Sequence, residues 1–169
     1  MTGFAAADIT VSGGTAGNLQ TADNITYTFD VTPTADGEVT VDVAADVAAD
    51  DAGNNNTVAT QLTRTADTTA PEVPTISTTG TTDDNTPDIT GTAEAGSVVE
   101  IFQNGTSIGT ATADADGNWT FTLATAIDDG SYEFTATATD AVGNTSTAST
   151  GSSLTVDTTT GNNAGDNAG

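Results

Sequence analysis

The side chains able to do chemistry in this sequence are nearly all carboxylates. Of 169 residues, 24 are Asp or Glu, Arg64 is the lone Lys or Arg, and His and Cys are absent, giving a net charge of −23. Two chemistries suit such a set. Carboxylates, Asn amides and backbone carbonyls are ligands for a hard cation such as calcium, which takes six to eight oxygens at about 2.3–2.6 Å. Paired carboxylates across a cleft can hydrolyse glycosides, but nothing in the sequence sets a pair across a cleft, and no enzyme is expected. Without His or Cys there is no Ser-His-Asp triad, thiol nucleophile, disulfide or ordinary zinc or iron site. One cation gives no footprint for nucleic acid. The apolar runs are too short for a membrane span or a signal-peptide core.

The elements that must carry these carboxylates read as strands. Thr, Val, Ile, Tyr and Phe favour pleated, half-buried backbone. Ile25, Tyr27, Phe29 and Val31 alternate with polar residues, as do Val39, Val41 and Val43. Trp119, Phe121 and Leu123 form a third such run, and Tyr132, Phe134, Ala136 and Ala138 a fourth. Period two gives one apolar and one wet face. Gly, Asn and Asp clusters punctuate the runs at the spacing of a β-sandwich. Trp119 lies in phase with Phe121 and Leu123, so it is expected in the core and not as a sugar-stacking platform.

The sequence also repeats. Asp50, Gly53 and Asn54 recur as Asp140, Gly143 and Asn144, and Asp67-Thr68-Thr69 recurs as Asp157-Thr158-Thr159, both at an offset of 90. Asn24-Ile-Thr-Tyr-Thr-Phe matches Asn118-Trp-Thr-Phe-Thr-Leu at 94, and Asp36-Gly37 matches Asp129-Gly130 at 93. Matches in one order mean a tandem repeat. The first copy has no counterpart of Val73–Thr79 or Ile89–Ala93, the opening strands of the second. The expected organisation is a module at 1–67 with strands C to G only, a Pro-containing linker at 68–74, a complete module at 75–157 and a flexible polar tail at 158–169. A sandwich short of two strands exposes apolar faces and a strand edge. Either the sequence begins inside a longer repeat array, or module one closes in a reduced form, or another chain supplies the strands by β-strand addition, as a dimer or a fibre.

The second module carries Thr86-Pro-Asp-Ile-Thr-Gly-Thr-Ala-Glu-Ala-Gly-Ser, Val99-Glu-Ile-Phe-Gln-Asn-Gly and Asp129-Gly-Ser-Tyr-Glu-Phe-Thr-Ala-Thr-Ala-Thr-Asp-Ala-Val-Gly-Asn-Thr-Ser. It resembles the bacterial immunoglobulin-like repeats of giant surface adhesins that build biofilms. Gly3-Phe-Ala-Ala-Ala-Asp-Ile-Thr-Val and Val31-Thr-Pro-Thr-Ala-Asp-Gly-Glu-Val-Thr-Val make the first module similar to a sister type. The resemblance implies an all-β chain of tandem immunoglobulin-like sandwiches, the first lacking its two N-terminal strands. It further implies extender modules of an exported protein at the bacterial cell surface, often with calcium between domains.

In a seven-stranded sandwich, successive loops alternate between the two ends. Glu94, Asp114, Asp116 and Asp140 therefore fall at the end of module two that faces module one. Asp36 of module one and Asp67 of the linker approach the same junction. These six are the expected calcium ligands, with Asp67, Glu94, Asp116 and Asp140 foremost. A second site is expected from Asp157 with Asp83, Asp84 or Asp128. Against this stands the turn-forming habit of Asp and Asn, which needs no metal. Asp114-x-Asp116-Gly resembles part of an EF-hand loop, but Thr125 stands where the bidentate Glu belongs. Three functions follow: a structural extender stiffened by calcium, a fibre subunit completed by strand exchange, and a glycan- or protein-binding tip domain. The partners expected are neighbouring modules or chains, with no nucleic acid and no membrane insertion.

Overall fold

The computed structural model describes residues 3–159, and the chain divides into two units, Met1–Thr69 and Ala70–Gly169. Of the polar tail expected at 158–169, residues 160–169 lie outside the described residues.

In the first unit, a single 3₁₀ turn at Ala6–Asp8 leads into five strands: β1 (Ile9–Ser12), β2 (Gly14–Thr21), β3 (Tyr27–Pro33), β4 (Gly37–Val43) and β5 (Leu62–Ala66). One sheet runs β1-β4-β5, with Ile9 opposite Val43 and Val39 opposite Arg64. The other is the antiparallel pair β2-β3. Its buried hydrophobic residues are few: Ile9, Val39 and Ala48.

The second unit contains β6 (Thr75–Ile76), β7 (Gly80–Thr82), β8 (Asp88–Thr92), β9 (Val98–Gln103), β10 (Thr106–Thr112), β11 (Asn118–Thr122), β12 (Gly130–Thr139) and β13 (Ser152–Val156). A five-stranded sheet, β10-β9-β12-β13-β7, faces a three-stranded one, β11-β8-β6. The alternation dictates the core. Ile89, Val99, Ile101, Trp119, Phe134, Ala136 and Leu154 point inward and are essentially inaccessible, while the intervening Thr and charged residues face water. Trp119 is 2% exposed, as its phase with Phe121 predicts. It packs over Gly91: a Cβ on that residue would lie 2.6 Å from the indole and 1.9 Å from the Thr75 carbonyl oxygen. Only glycine lets β6 and the indole approach β8 so closely.

The repeat is visible in the pairing. β4 and β5 pair as β12 and β13 do, and β1 pairs with β4 as β9 pairs with β12. One strand changes partner. β2 pairs with β3, whereas its counterpart β10 joins β9 in the opposite sheet. Among the described residues, the first unit has no strand in the places that β6, β7 and β8 occupy in the second.

The run expected to begin a strand at Ile25 begins it at Tyr27 instead, and Ile25 is 69% exposed. The reason is pairing. Asn118 and Trp119, the counterparts of Asn24 and Ile25, are in strand because they pair with Thr92 and Gly91 of β8. With no such partner, residues 24–26 are held by Asp23, whose Oδ1 accepts the N–H groups of Ile25 and Thr26 at 2.9 and 2.7 Å.

Acidic loops at the ends of the two units

The carboxylates sit where strand geometry leaves backbone N–H groups without ladder partners. Three five-residue turns share the pattern Asp-x-x-Gly-Asn: 50–54, 114–118 and 140–144. In each, the Asp N–H donates to the Asn carbonyl and the Gly N–H donates to the Asp carbonyl, except that at 140–144 the Gly N–H goes to the Asp side chain. In each, Asp Oδ1 accepts the N–H of the Asn at 2.8–2.9 Å. At Asp50 it also accepts from Ala52, at Asp114 from Asp116, and at Asp140 from Val142. Asp50 and Asp140 take the Asn side-chain amide on Oδ2, at 2.9 and 2.7 Å. Gly follows because the turn needs positive φ there: 87° at Gly53, 82° at Gly117 and 102° at Gly143.

A second device holds the chain as it leaves each unit's last strand. Asp36 Oδ1 accepts the Thr68 N–H at 2.5 Å and its hydroxyl at 2.7 Å, and Oδ2 accepts the Thr69 hydroxyl. Asp129 Oδ1 accepts the Thr158 N–H and hydroxyl at 2.9 and 2.8 Å. Beside each clamp, Asp67 Oδ1 accepts the Thr69 N–H at 3.2 Å, and Asp157 Oδ1 the Thr159 N–H at 3.1 Å. The glycine after Asp36 and Asp129 opens β4 and β12, so the clamp ties the start of one strand to the exit of its neighbour.

These bonds act on the charges. Hydrogen bonds from the Thr69 and Thr68 side chains and from the Thr68 N–H lower the Asp36 pKa below 3.8. The Thr158 N–H and then its hydroxyl do the same for Asp129, and the Asn54 side chain and N–H for Asp50. At Asp140 desolvation pushes upward, but the Asn144 side chain and the surrounding N–H groups together outweigh it and the pKa is lowered. The physical cause is common: N–H and O–H donors favour the ionised form.

The ten expected ligands fall as follows. Asp36 and Asp67 belong to the first unit; Glu94, Asp114, Asp116 and Asp140 to the second. Within the second unit those four share an end. Ala93 donates its N–H to Gly117 and Gly96 to Ala113, which joins two of the loops, and Thr139, just before Asp140, pairs with Val98. Asp83, Asp84, Asp128 and Asp157 gather at the opposite end, where Asp157 donates to the Thr82 carbonyl and Ile127 to that of Asn85. Asp84 Oδ1 accepts from the Thr86 N–H and hydroxyl, and the Asp128 carbonyl accepts from the Tyr132 hydroxyl. Among the described residues, no three acidic side chains stand close enough together to form a metal-binding group. The donor chemistry is that of a hard cation, but most of these Asp oxygens already bind backbone N–H groups. Two carboxylates escaped the sequence reading as site residues. Asp129 is the counterpart of Asp36, and the joint recurrence of Asp-Gly and Asp-Thr-Thr was the signal for it. Glu72 lines a shallow depression with Glu94, which no motif announced.

With the sandwich and its end loops described, the chain's place among known proteins is plain. Residues 74–158 match one family profile described as a bacterial Ig-like domain, and residues 1–66 match a second with the same description. The chain belongs to the bacterial Ig-like domains. Similar solved structures include a biofilm associated protein (BSP domain), at 21% identity and TM-score 0.44, covering 79% of this chain and 22% of that one. Another is a Bacteroides ovatus mixed-linkage glucan utilization locus protein, SGBP-B, in complex with a heptasaccharide, at 17% identity and TM-score 0.28, covering 88% of this chain and 38% of that one. The chain thus spans about a fifth to two fifths of the length of these structures. Comparison with curated proteins returned no match.

Proposed function

We propose that this chain is a structural spacer from a secreted bacterial cell-surface adhesin. Its modules extend the protein from the cell and support adhesion or biofilm formation. The observation that supports this reading is the recurrence, in both units, of the same carboxylate clamp on the outgoing chain: Asp36 on Thr68 and Asp129 on Thr158. A spacer needs each module to release the chain in a set direction, and a clamp rebuilt in two diverged copies meets that need. The lone Trp is spent on the core, so it offers no sugar-stacking surface. The role is mechanical and not enzymatic.

The second part of the proposal is calcium. Carboxylates at the module ends repel one another in a chain of charge −23, and a divalent ion held by Asp67, Glu94, Asp116 and Asp140, or by Asp157 with its neighbours, would relieve this and stiffen the array. The donor type supports the reading; carbonyl and Asn oxygens would have to complete the ligand set. Calcium titration followed by calorimetry and small-angle scattering tests it. Millimolar calcium is expected to raise Tm and narrow the distribution of molecular dimensions, with magnesium less effective. If EDTA changes neither quantity, the calcium reading is wrong while the spacer reading stands.

A further inference from the structure

The first unit has an apolar face that its counterpart covers. The repeat allows a residue-by-residue comparison. Trp119 is 2% exposed and its counterpart Ile25 is 69% exposed. Along β13, Ser152, Leu154 and Val156 are buried; along β5, their counterparts Leu62 and Arg64 are exposed and Ala66 is half-buried. Between the two sheets lies a groove of about 290 Å³ lined by Phe4, Tyr27, Phe29, Val43, Ala48 and Ala59, among others, with Phe4 and Tyr27 in edge-to-face contact at 4.9 Å. The second unit shows what covers this face. β8 pairs antiparallel with β11, and β7 pairs parallel with β13. The corresponding edges of β3 and β5 have no strand partner among the described residues.

We propose that the first unit is a strand acceptor. Its occupant is an extended two-strand polypeptide segment of the repeat's own opening type, the counterpart of residues 74–93. One strand adds antiparallel to β3 and covers Ile25 and Phe29. The other adds parallel to β5 beside Arg64–Ala66, in the register that sets Leu154 beside Gly80 and Val156 beside Thr82. Main-chain hydrogen bonds supply the pairing, and alternate apolar side chains enter the groove. A second copy of the whole chain is a poor occupant. Each copy carries −23, so two copies repel, and a copy could donate such a segment only by dismantling its own second unit. The donor must also tolerate the only Lys or Arg of the chain, since Arg64 stands where Leu154 is buried and lies across from Val39 on the inward face. A carboxylate on the donor next to Arg64 would supply specificity.

The test adds a synthetic peptide of residues 73–93 to the full chain, and in parallel grafts the same segment ahead of Gly3. Amide hydrogen exchange is read at β3 and β5, with β13 as the internal standard. The expected result is one peptide per chain and exchange in β3 and β5 slowed by about a hundredfold in at least one format, as when a fraying edge joins a cooperative unit. Ile25→Asp, at a side chain already in water, is expected to abolish that slowing. Three results overturn the proposal: no protection in either format, edges in the untreated chain already as slow as β13, or protection that depends on chain concentration without the segment, which would make a second copy the occupant.

Discussion

A carboxylate that accepts three backbone N–H groups behaves unlike one on an open loop, and Asp140 is such a residue. Asp140→Ala leaves those donors to water and frees the loop, whereas Asp116→Ala removes a side chain from a turn that Asp116 enters through its N–H. Thermal melting is expected to show a clear loss for the first and little change for the second. The titration of the clamps has a defined sign. Asp129 has its pKa lowered in the fold from 3.8, so the stability it contributes is present above the unfolded value and is lost as pH falls through the folded one. Asp129→Asn cannot titrate there. The Tm gap between wild type and this variant should be positive at pH 7 and close below about pH 4, near the unfolded carboxylate pKa. A gap that widened on acidification would refute the clamp's role. At this scale the sequence was partly legible. Asp, Gly and Asn at fixed spacing announced turns, and the 90-residue recurrence announced that they mattered. The clamp partners were not legible, because Asp36 and Thr68 are far apart in sequence and only the β4–β5 pairing brings them together.

Strands in this chain depend on their neighbours more than on their own residues. β11 and the stretch 24–29 have nearly the same pattern, yet the first two residues are strand in one and bend in the other, according to whether β8 lies alongside. Connections can substitute for a strand. Ser149 Oγ accepts the Ala136 N–H at 3.0 Å and Ser146 Oγ the Ala138 N–H at 2.9 Å, both buried. Ser149→Ala strands a buried donor and should cost about 1–3 kcal/mol in denaturant unfolding of the second unit. Leu154→Ala empties a site that is 2% exposed and should cost about 2–5 kcal/mol there. If Leu154→Ala were nearly neutral, the packing described for β13 would be wrong. Periodicity gave the core faces of β4, β11 and β12 correctly, since alternation survives any partner. It could not reveal that β2 pairs with β3 while β10 crosses to β9. Local residues set which face of a strand is apolar, but sheet membership depends on which other edges exist.

The two units differ in what they bury, and the whole chain should unfold accordingly. The second has a contiguous core around Phe134, Ile89 and Trp119, while the first buries three hydrophobic residues and leaves Leu62 and Val58 in water. Calorimetry is expected to show the first unit melting below the second; a single transition at the higher temperature would contradict the burial pattern. Charge acts on the whole molecule as well. With 24 acids and one cation, self-repulsion opposes compaction, and added monovalent salt should raise Tm by screening it.

By itself the sequence determined that the chain is all-β, repeated, acidic, and unequipped for thiol, imidazole or nucleic-acid chemistry. These follow from composition and period, which act locally. Only the tertiary structure decided which Asp holds which N–H, which strands share a sheet, and which face of the first unit stays open. Those depend on contacts between residues far apart along the chain, and such contacts exist only once the sheets have formed.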